Sequence, residues 1–250
     1  MNKHLIYPIG VTDSCHIAAA HLQRSGIPLT DHPSPDVTHL LLDVPSFQMN
    51  ALLQGGEDLQ TLLRMLPKTI TLIGGNLEQD FLKAHPRLDL LKDPYYLARN
   101  ARITAECALR VAAPYLNRIY AESSALILGW GRIGKNLARI LSALGCQVTV
   151  AARKECDRAI LETFGYNAID FSEIPRILKS CTILFNTVPN LPHNIFDAGY
   201  NGISIDLASL PGMQGAQVIP ARGLPGKYAP ESTGKLIAET ILRMNLEGVL

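Results

Sequence analysis

The segment ALILGWGRIGKNLARI, residues 125–140, constrains the fold more than any other part of the chain. A short apolar run comes first, then glycines at G-x-G-x-x-G spacing, then apolar residues at helical spacing. This order predicts a buried strand, a tight turn and an amphipathic helix, the context in which the glycine pattern binds a dinucleotide. Gly129 would permit the turn, Gly131 the close approach of a pyrophosphate, and Gly134 the packing of helix on strand. We assign the cofactor turn to Gly129, Gly131, Arg132, Ile133 and Gly134.

The glycine pattern alone is also compatible with an ordinary strand-to-helix turn, so the flanking sequence matters. Downstream, short apolar runs rich in β-branched residues alternate with helical periods, which is typical of βα units and a parallel sheet. Residues 100–250 are therefore predicted to form a Rossmann-type, doubly wound parallel α/β domain. The predicted strands are 125–129, 147–151, 181–186, 202–206 and 216–220.

The first part of the chain is predicted to form a second, smaller α/β domain. Apolar runs at 38–44 and 69–75 alternate with helical patterns, and many prolines divide residues 1–99 into short pieces. Residues 95–120 predict a long connecting helix that is kinked at Pro114. We expect a substrate to bind in a cleft between the two domains.

Composition excludes several classes of protein. Hydrophobic residues make up 47% of the chain, charged residues 18%, and the net charge is +1, so neither disorder nor a nucleic-acid partner is expected. Five cysteines without any C-x-x-C pair argue against a metal site and a disulfide framework. With no predicted signal peptide or membrane span, we expect a cytoplasmic protein with no membrane partner. We also expect it to form a homo-oligomer.

The end of the second predicted strand indicates which dinucleotide is bound. NAD sites usually carry an acidic residue about 20 residues after the glycine turn, where it binds the ribose 2′-hydroxyl. Here the strand ends in alanines 151 and 152, and Arg153 and Lys154 follow. Two cations suit a 2′-phosphate, which favours NADP over NAD. The alternative is that both cations belong to a solvated strand end.

Later strand ends supply further candidates for the same edge of the sheet, where ligands of open parallel sheets bind. FNTVPN at 185–190 and IDLASLPG at 205–212 each end a predicted strand. A loop at 221–235, dense in glycine and proline, contributes Lys227 as a cation for a substrate carboxylate. The residues assigned to the cofactor are Thr187, Val188, Pro189 and Ala208, and Ser209 is assigned to the substrate.

Six stretches together carry a family resemblance: NARITAECA (100–108), GWGRIG (129–134), AARK (151–154), FNTVP (185–189), IDLASLPG (205–212) and GLPGKYAPESTG (223–234). They resemble the A subunit of dipicolinate synthase, a sporulation enzyme of spore-forming bacteria. The resemblance covers residues 95–245 well and 1–94 loosely, and the N-terminal domain is shorter than in that family. It implies a flavodoxin-like N-terminal domain, an NADP-binding Rossmann domain and a flavoprotein-like B subunit as partner.

The resemblance also implies an activity, the formation of dipicolinate from a dihydrodipicolinate precursor. For this dicarboxylate we expect Lys227 to bind a carboxylate and Glu106 to act as a base. Hydrogen bonds would come from Asn100, Thr104 and Ser209. The family motif DLASRPGG differs at two places, where this chain has Leu210 instead of arginine and a methionine at 213 instead of glycine.

Two other functions remain open from the sequence. D-2-hydroxyacid dehydrogenases share a two-domain layout, although they need an arginine after the fifth strand and a late histidine, and this chain has Leu210 and no histidine after His193. A non-catalytic NADP-binding regulatory or partner subunit would keep the glycine turn and lose the substrate cation. Leu210 keeps this second alternative open.

Overall fold

The structure is a computed structural model, and it describes residues 4–47, 53–55, 58–191, 200, 202–210, 212–213 and 218–246 of the 250. The described strands are β1 (Ile6–Pro8), β2 (His39–Leu41), β3 (Thr71–Gly74), β4 (Arg87–Asp89), β5 (Ser124–Leu128), β6 (Gln147–Ala151), β7 (Asn167–Ile169), β8 (Ile183–Asn186), β9 (Ile203–Asp206) and β10 (Val218–Pro220). The described α-helices are α1 (Asp13–Arg24), α2 (Leu59–Arg64), α3 (Pro94–Ala112), α4 (Arg132–Ala143), α5 (Glu155–Thr163), α6 (Ile174–Leu178), α7 (Leu224–Tyr228) and α8 (Pro230–Leu246).

The chain divides into two compact units, one of Met1–Asn100 with Pro225–Leu250 and one of Ala101–Leu224. The change of unit near residue 100 lies inside α3. The last helix differs from the expectation, because α8 groups with the first unit rather than with residues 100–224. Close packing on α1 explains this, since a side chain at Gly234 would lie 2.7 Å from the carbonyl oxygen of Ser14.

The first unit is built on a parallel sheet in the order β1-β2-β3-β4. A parallel bridge from Ile6 to Leu29 adds a minimal strand on the other side of β1. With this bridge counted as a strand, the order becomes 2-1-3-4-5, which is the flavodoxin-like order. The core lies between the sheet and α2, where Leu40 and Leu72 pack in one cluster with Leu63. The predicted flavodoxin-like domain is confirmed.

The second unit is built on a six-stranded parallel sheet in the order β10-β9-β8-β5-β6-β7. Numbered within the unit, this order is 6-5-4-1-2-3, the order of the Rossmann fold with its two mononucleotide-binding halves. Leu126 and Leu184 on the sheet are fully buried in one cluster with Ile174 and Leu178 of α6. The Rossmann prediction is confirmed, and the first two residues of the predicted last strand, 216–217, lie outside the described residues.

The predicted connecting helix is shorter than expected and does not kink. α3 ends at Ala112, and a single 3₁₀ turn, Ala113–Tyr115, follows it. Pro114 lacks the N–H that a continuing helix needs and crowds the residue before it, so it ends the helix. At the start, Oδ1 of the buried Asp93 accepts a hydrogen bond of 2.7 Å from the amide of Tyr96. Among the described residues, no helix is long and apolar enough to cross a membrane.

Candidate functional site

The turn after β5 has a backbone that only glycine fits. Gly129 has a φ of +100°, in the region that disfavours side chains. A Cβ atom there would also lie 2.6 Å from Oγ1 of Thr187 and 2.7 Å from a methyl group of Val188. The turn is therefore pressed against the loop that follows β8, and glycine is required for both reasons.

The other two glycines differ in what surrounds them. Around Gly131, the residue before α4, no described atom lies within 4 Å of the place that a Cβ would occupy, and no side chain caps the helix. At Gly134 a Cβ would collide with the carbonyl oxygen of Gly129, so the helix rests directly on the turn. Open space and uncapped N–H groups at the N-terminus of a 12-residue helix fit a pyrophosphate.

A cavity of about 300 Å³ opens beside this turn at the carboxyl end of the sheet. It brings together most residues that the sequence assigned to the cofactor, from three separate strand ends. Arg132, Ile133 and Ala208 do not line it, and Gly134 lies beneath the turn. The lining residues are Gly129, Trp130, Gly131, Ala152, Arg153, Lys154, Asp157, Phe171, Thr187, Val188 and Pro189.

The end of β6 presents cations and no acid. Ala151 and Ala152 are buried, and the exposed Arg153 and Lys154 follow them. Within the described part of the chain, neither cationic side chain has a hydrogen bond or an ion pair of its own. Both are therefore available to an anion that enters the cavity.

Arg158 of α5 holds this strand end in place. Its Nη1 donates to the carbonyl oxygens of Ala152 at 2.7 Å and Arg153 at 3.0 Å. The same atom lies 2.9 Å from Oδ2 of Asp170, which follows β7. Because one guanidinium joins the ends of two strands, the backbone that carries the two free cations is fixed.

Asp157 is a lining residue that the sequence reasoning missed. It lies in the first turn of α5, is half-buried, and is the one acidic side chain that lines this cavity among the described residues. A carboxylate there favours a ribose hydroxyl, whereas Arg153 and Lys154 favour a phosphate. Its position three residues after Lys154, which precedes the helix, is the signal that could have placed it here.

A second missed feature is a buried polar network at the ends of β8 and β9. Asn186 is fully buried, and its amide donates to Oδ1 of Asp206 at 2.8 Å and to the carbonyl oxygen of Val188 at 2.9 Å. The amide of Val188 donates back to Asn186 at 2.9 Å. Oδ2 of Asp206 accepts from the amide of Gly212 at 3.0 Å and from Arg222 at 3.2 Å. The loops that follow these strands are therefore fixed to one buried carboxylate.

The residues predicted to bind substrate lie on several elements, and each is described within its own unit. Ser209 is exposed in the loop after β9, beside the buried Ala208. Lys227 is exposed on α7, with Nζ 5.2 Å from the ring centre of Tyr228. The buried Thr104 belongs to α3.

Glu106 and Asn100 also belong to α3. Oε1 of Glu106 accepts from Nε of Arg102 at 3.0 Å, an exposed pair one helical turn apart. Asn100, half-buried, is the last residue of the first unit's N-terminal segment. The catalytic and substrate-binding assignments of all these residues remain predictions.

Burial makes four of the five cysteines poor nucleophiles, because it raises the pKa of Cys15, Cys107, Cys146 and Cys181. All five are free, and Cys15, Cys107 and Cys146 are buried. Burial raises the pKa of Cys15 to about 12, with a further contribution from Asp43, and burial raises the pKa of Cys181 to about 11. Both thiols therefore stay protonated at neutral pH and are unreactive.

Comparison with known proteins finds similarity in sequence, mainly in the second unit. Residues 100–198 match the model for the D-isomer specific 2-hydroxyacid dehydrogenase, NAD binding domain. The chain is also 29% identical over 159 residues to the A subunit of dipicolinate synthase from Bacillus subtilis (strain 168). The predicted resemblance to this family of A subunits is confirmed. That alignment covers 59% of this chain and 54% of the relative, so it spans about half the length of the relative.

Solved structures extend the likeness in fold to both units. The A subunit of dipicolinate synthase from Bacillus halodurans superposes with a TM-score of 0.84 at 18% identity, covering 97% of each chain. A transhydrogenase from Sinorhizobium meliloti has a TM-score of 0.70 at 11% identity, covering 98% of this chain and 94% of its own. These structures show the fold of both units, and the match to a nicotinamide-dinucleotide-binding domain of the dehydrogenase type concerns residues 100–198 alone.

Proposed function

We propose that this chain is an NADP-dependent oxidoreductase that acts on a small cyclic dicarboxylate. The observation that carries the proposal is the cavity at the glycine turn, where Arg153 and Lys154 stand free at the end of β6 and no acid ends that strand. The open space at Gly131 would admit a pyrophosphate, and the two cations would bind the 2′-phosphate. When bound, the nicotinamide would accept or donate a hydride.

The choice between NADP and NAD depends on opposing charges in one cavity. Arg153 and Lys154 would each form charge-assisted hydrogen bonds with a 2′-phosphate, while Asp157 would repel it. Two cations held by a fixed backbone outweigh one half-buried carboxylate, so we assign NADP.

Calorimetric titration of NADPH and NADH tests this assignment. The double variant Arg153→Ala, Lys154→Ala should weaken NADPH binding about 100-fold and leave NADH within about twofold. The matched control, Arg139→Ala with Lys179→Ala, removes the same charge from exposed positions outside the cavity and should leave both affinities unchanged. Tighter binding of NADH than of NADPH, lost in Asp157→Asn, would instead make this an NAD site.

For the substrate we propose the dihydrodipicolinate precursor of dipicolinate, because the curated relative is the A subunit of a dipicolinate synthase. Oxidation removes a hydride and a proton from the ring and leaves an aromatic pyridine dicarboxylate. Lys227 is the proposed cation for one carboxylate, and Asn100, Thr104 and Ser209 are proposed hydrogen-bonding groups. Glu106 is the proposed proton acceptor, since it is exposed and one of its oxygens has no partner within the described residues.

The proposal includes a partner and a setting. Because the relative is named as the A subunit of its enzyme, we propose that this chain works with a flavoprotein-like B subunit, as a homo-oligomer in the cytoplasm of a sporulating cell. Mixing the chain with a B subunit, NADP and the dihydrodipicolinate precursor should produce dipicolinate, measured by its ultraviolet absorbance. The matched variant Gly131→Val, which fills the proposed cofactor space, should produce far less dipicolinate at the same NADP concentration.

Two alternative functions each have one observation in their favour, and the dipicolinate assay distinguishes both from the proposed function. The family model matched by residues 100–198 favours a D-2-hydroxyacid dehydrogenase, which would oxidise 2-hydroxy acids without any B subunit. The exposed Leu210, in place of the family arginine, favours a non-catalytic NADP-binding protein. Such a protein would bind NADPH and turn over neither substrate.

A further inference from the structure

Arg222, in the loop after β10, has a guanidinium group that the protein uses along only part of its edge. Nε donates to the carbonyl oxygen of Ala208 at 3.0 Å, and Nη2 donates to Oδ2 of Asp206 at 3.2 Å. A guanidinium has five N–H groups, so three remain without a partner among the described residues. The side chain is 39% exposed, whereas that of Asp206 is 2% exposed. Two hydrogen bonds therefore hold the guanidinium on its protein side, and its other side is accessible to an anion from solvent.

Arg222 follows a strand in the half of the sheet that, in dinucleotide-binding folds, faces the nicotinamide end of the cofactor. Strands β8, β9 and β10 form the second mononucleotide-binding half, and Arg153 follows a strand of the first half. Asp206 links Arg222 to Asn186, which is in turn hydrogen-bonded to Val188 in the cavity wall. The free edge of Arg222 is thus separated from the cofactor cavity by one buried side-chain network.

Arg222 also contacts the turn in which the family arginine is missing. Its Nε bonds to Ala208, two residues before Leu210, and Leu210 is itself 57% exposed. The family motif has its positive charge at position 210. In this chain Arg222 brings a positive charge to the same turn, through its hydrogen bond to Ala208.

We propose that Arg222 binds a carboxylate of the substrate, in place of the arginine that the family motif has at position 210. This proposal rests on the proposed dicarboxylate function. The fixed guanidinium presents paired N–H groups that match a carboxylate in a bidentate manner, which Lys227, a single exposed ammonium, cannot do. Because two bonds already orient the side chain, little of its freedom would be lost on binding.

Binding of dipicolinate itself, measured by calorimetry on the full chain saturated with NADPH, tests the proposal. Arg222→Gln should weaken dipicolinate binding about 30-fold, and Arg222→Lys, which keeps the charge but loses the paired donors, about 10-fold. NADPH affinity should stay within about twofold in both variants. Asp206 keeps three other donors, from Asn186, Ala208 and Gly212, so we expect these variants to fold.

A rescue variant distinguishes a substrate ligand from a structural tie. Leu210→Arg in the Arg222→Gln background returns the charge to the turn without restoring the bond to Asp206, and should recover dipicolinate affinity to within about fivefold of the original. Unchanged affinity in Arg222→Gln would overturn the proposal. So would parallel losses of NADPH affinity and melting temperature that Leu210→Arg does not recover. If the unaltered, NADPH-bound chain binds no dipicolinate, the proposed substrate class fails and this inference fails with it.

Discussion

Both units begin with a strand, a turn and a helix, but the two turns differ in what occupies the helix N-terminus. In each, a parallel strand leads through a turn into a 12-residue helix, α1 in the first unit and α4 in the second. In the first unit the turn is filled by the protein itself, since the buried Asp43 accepts hydrogen bonds of 3.0 Å from the amides of Val11 and Thr12. The Thr12 hydroxyl also donates to that carboxylate and caps α1.

In the second unit no described protein group takes that place. Gly131 precedes α4 without a side-chain cap, and the space beside it is open. A helix N-terminus favours a negative charge whatever its source. The comparison shows that topology alone does not make a nucleotide site, because the first unit supplies its own anion and the second leaves room for one from a ligand.

The largest effect is expected when the internal anion is removed. Asp43→Ala leaves the part-buried amides of Val11 and Thr12 and one hydroxyl without their acceptor, and an unpaired group costs up to about 1–3 kcal/mol. We expect the free energy of unfolding, measured in urea, to fall by about 3–5 kcal/mol. Asp43→Asn, which keeps one acceptor oxygen, should lose less. Loss of NADPH binding in a fully folded Asp43 variant would mean that this turn takes part in cofactor binding.

The next effect concerns the open turn. Gly131 has a φ of −83° and a ψ of −170°, which any residue adopts, so Gly131→Val should change the melting temperature by no more than about 2 °C. The new side chain would fill the space that we propose for the pyrophosphate, and NADPH affinity should fall about 100-fold. Calorimetry and thermal unfolding measure the two quantities separately.

Gly10→Ala is the matched control in the filled turn. A Cβ at Gly10 would lie 2.8 Å from Oδ1 of Asp43 and 2.5 Å from the sulfur of Cys15. We expect this variant to lose about 1–3 kcal/mol of stability and to keep its NADPH affinity. If Gly131→Val is destabilised as much as Gly10→Ala and still binds NADPH, the contrast between the two turns is wrong.

The smallest effect is a difference in acid sensitivity between the units. His39 on β2 is buried, and burial, followed by the nearby His4, lowers its pKa to about 4. The unfolded chain takes up this proton near pH 6.5, so stability is full above that pH and is lost as pH falls towards 4. We expect a loss of about 1–2 kcal/mol.

Hydrogen exchange at pH 5 and 7, corrected for intrinsic rates, can assign this loss to a unit. Six of the seven histidines precede residue 100, so protection should fall in the first unit and hold in the second. His39→Leu should reduce the difference. An equal loss of protection in both units, unchanged in that variant, would contradict the assignment to His39.

Local patterns allowed much of the second unit to be predicted. The glycine turn depends on spacing within six residues, and Arg153 and Thr187 follow their strands closely, so strand ends placed them in one cavity. The predicted length of the connecting helix was wrong for an equally local reason. A proline such as Pro114 can either kink a helix or end it, and here α3 ends before it.

Features that depend on several strands at once were not visible in the sequence. Arg222 contacts Asp206 because β9 and β10 are neighbouring strands in the sheet. The sequence around either residue does not show which strands pair. The placement of α8 with the first unit likewise depends on packing against α1, which helical periodicity alone does not assign to a partner. Asp157 is a different case, because its position in the first turn of α5, three residues after Lys154, is a local signal that was not used.

The fluorescence of Trp130 can report on the cavity beside the glycine turn. It is the only tryptophan in the chain, and it stands in the cavity wall between the glycines of the turn. Nζ of Lys135 lies 5.5 Å from its ring centre, and Tyr166 meets it edge-on. A dihydronicotinamide absorbs light where an indole emits it, so a reduced cofactor within this cavity would quench the emission by energy transfer. The chain thus contains a label-free reporter of whether the proposed nucleotide site is filled.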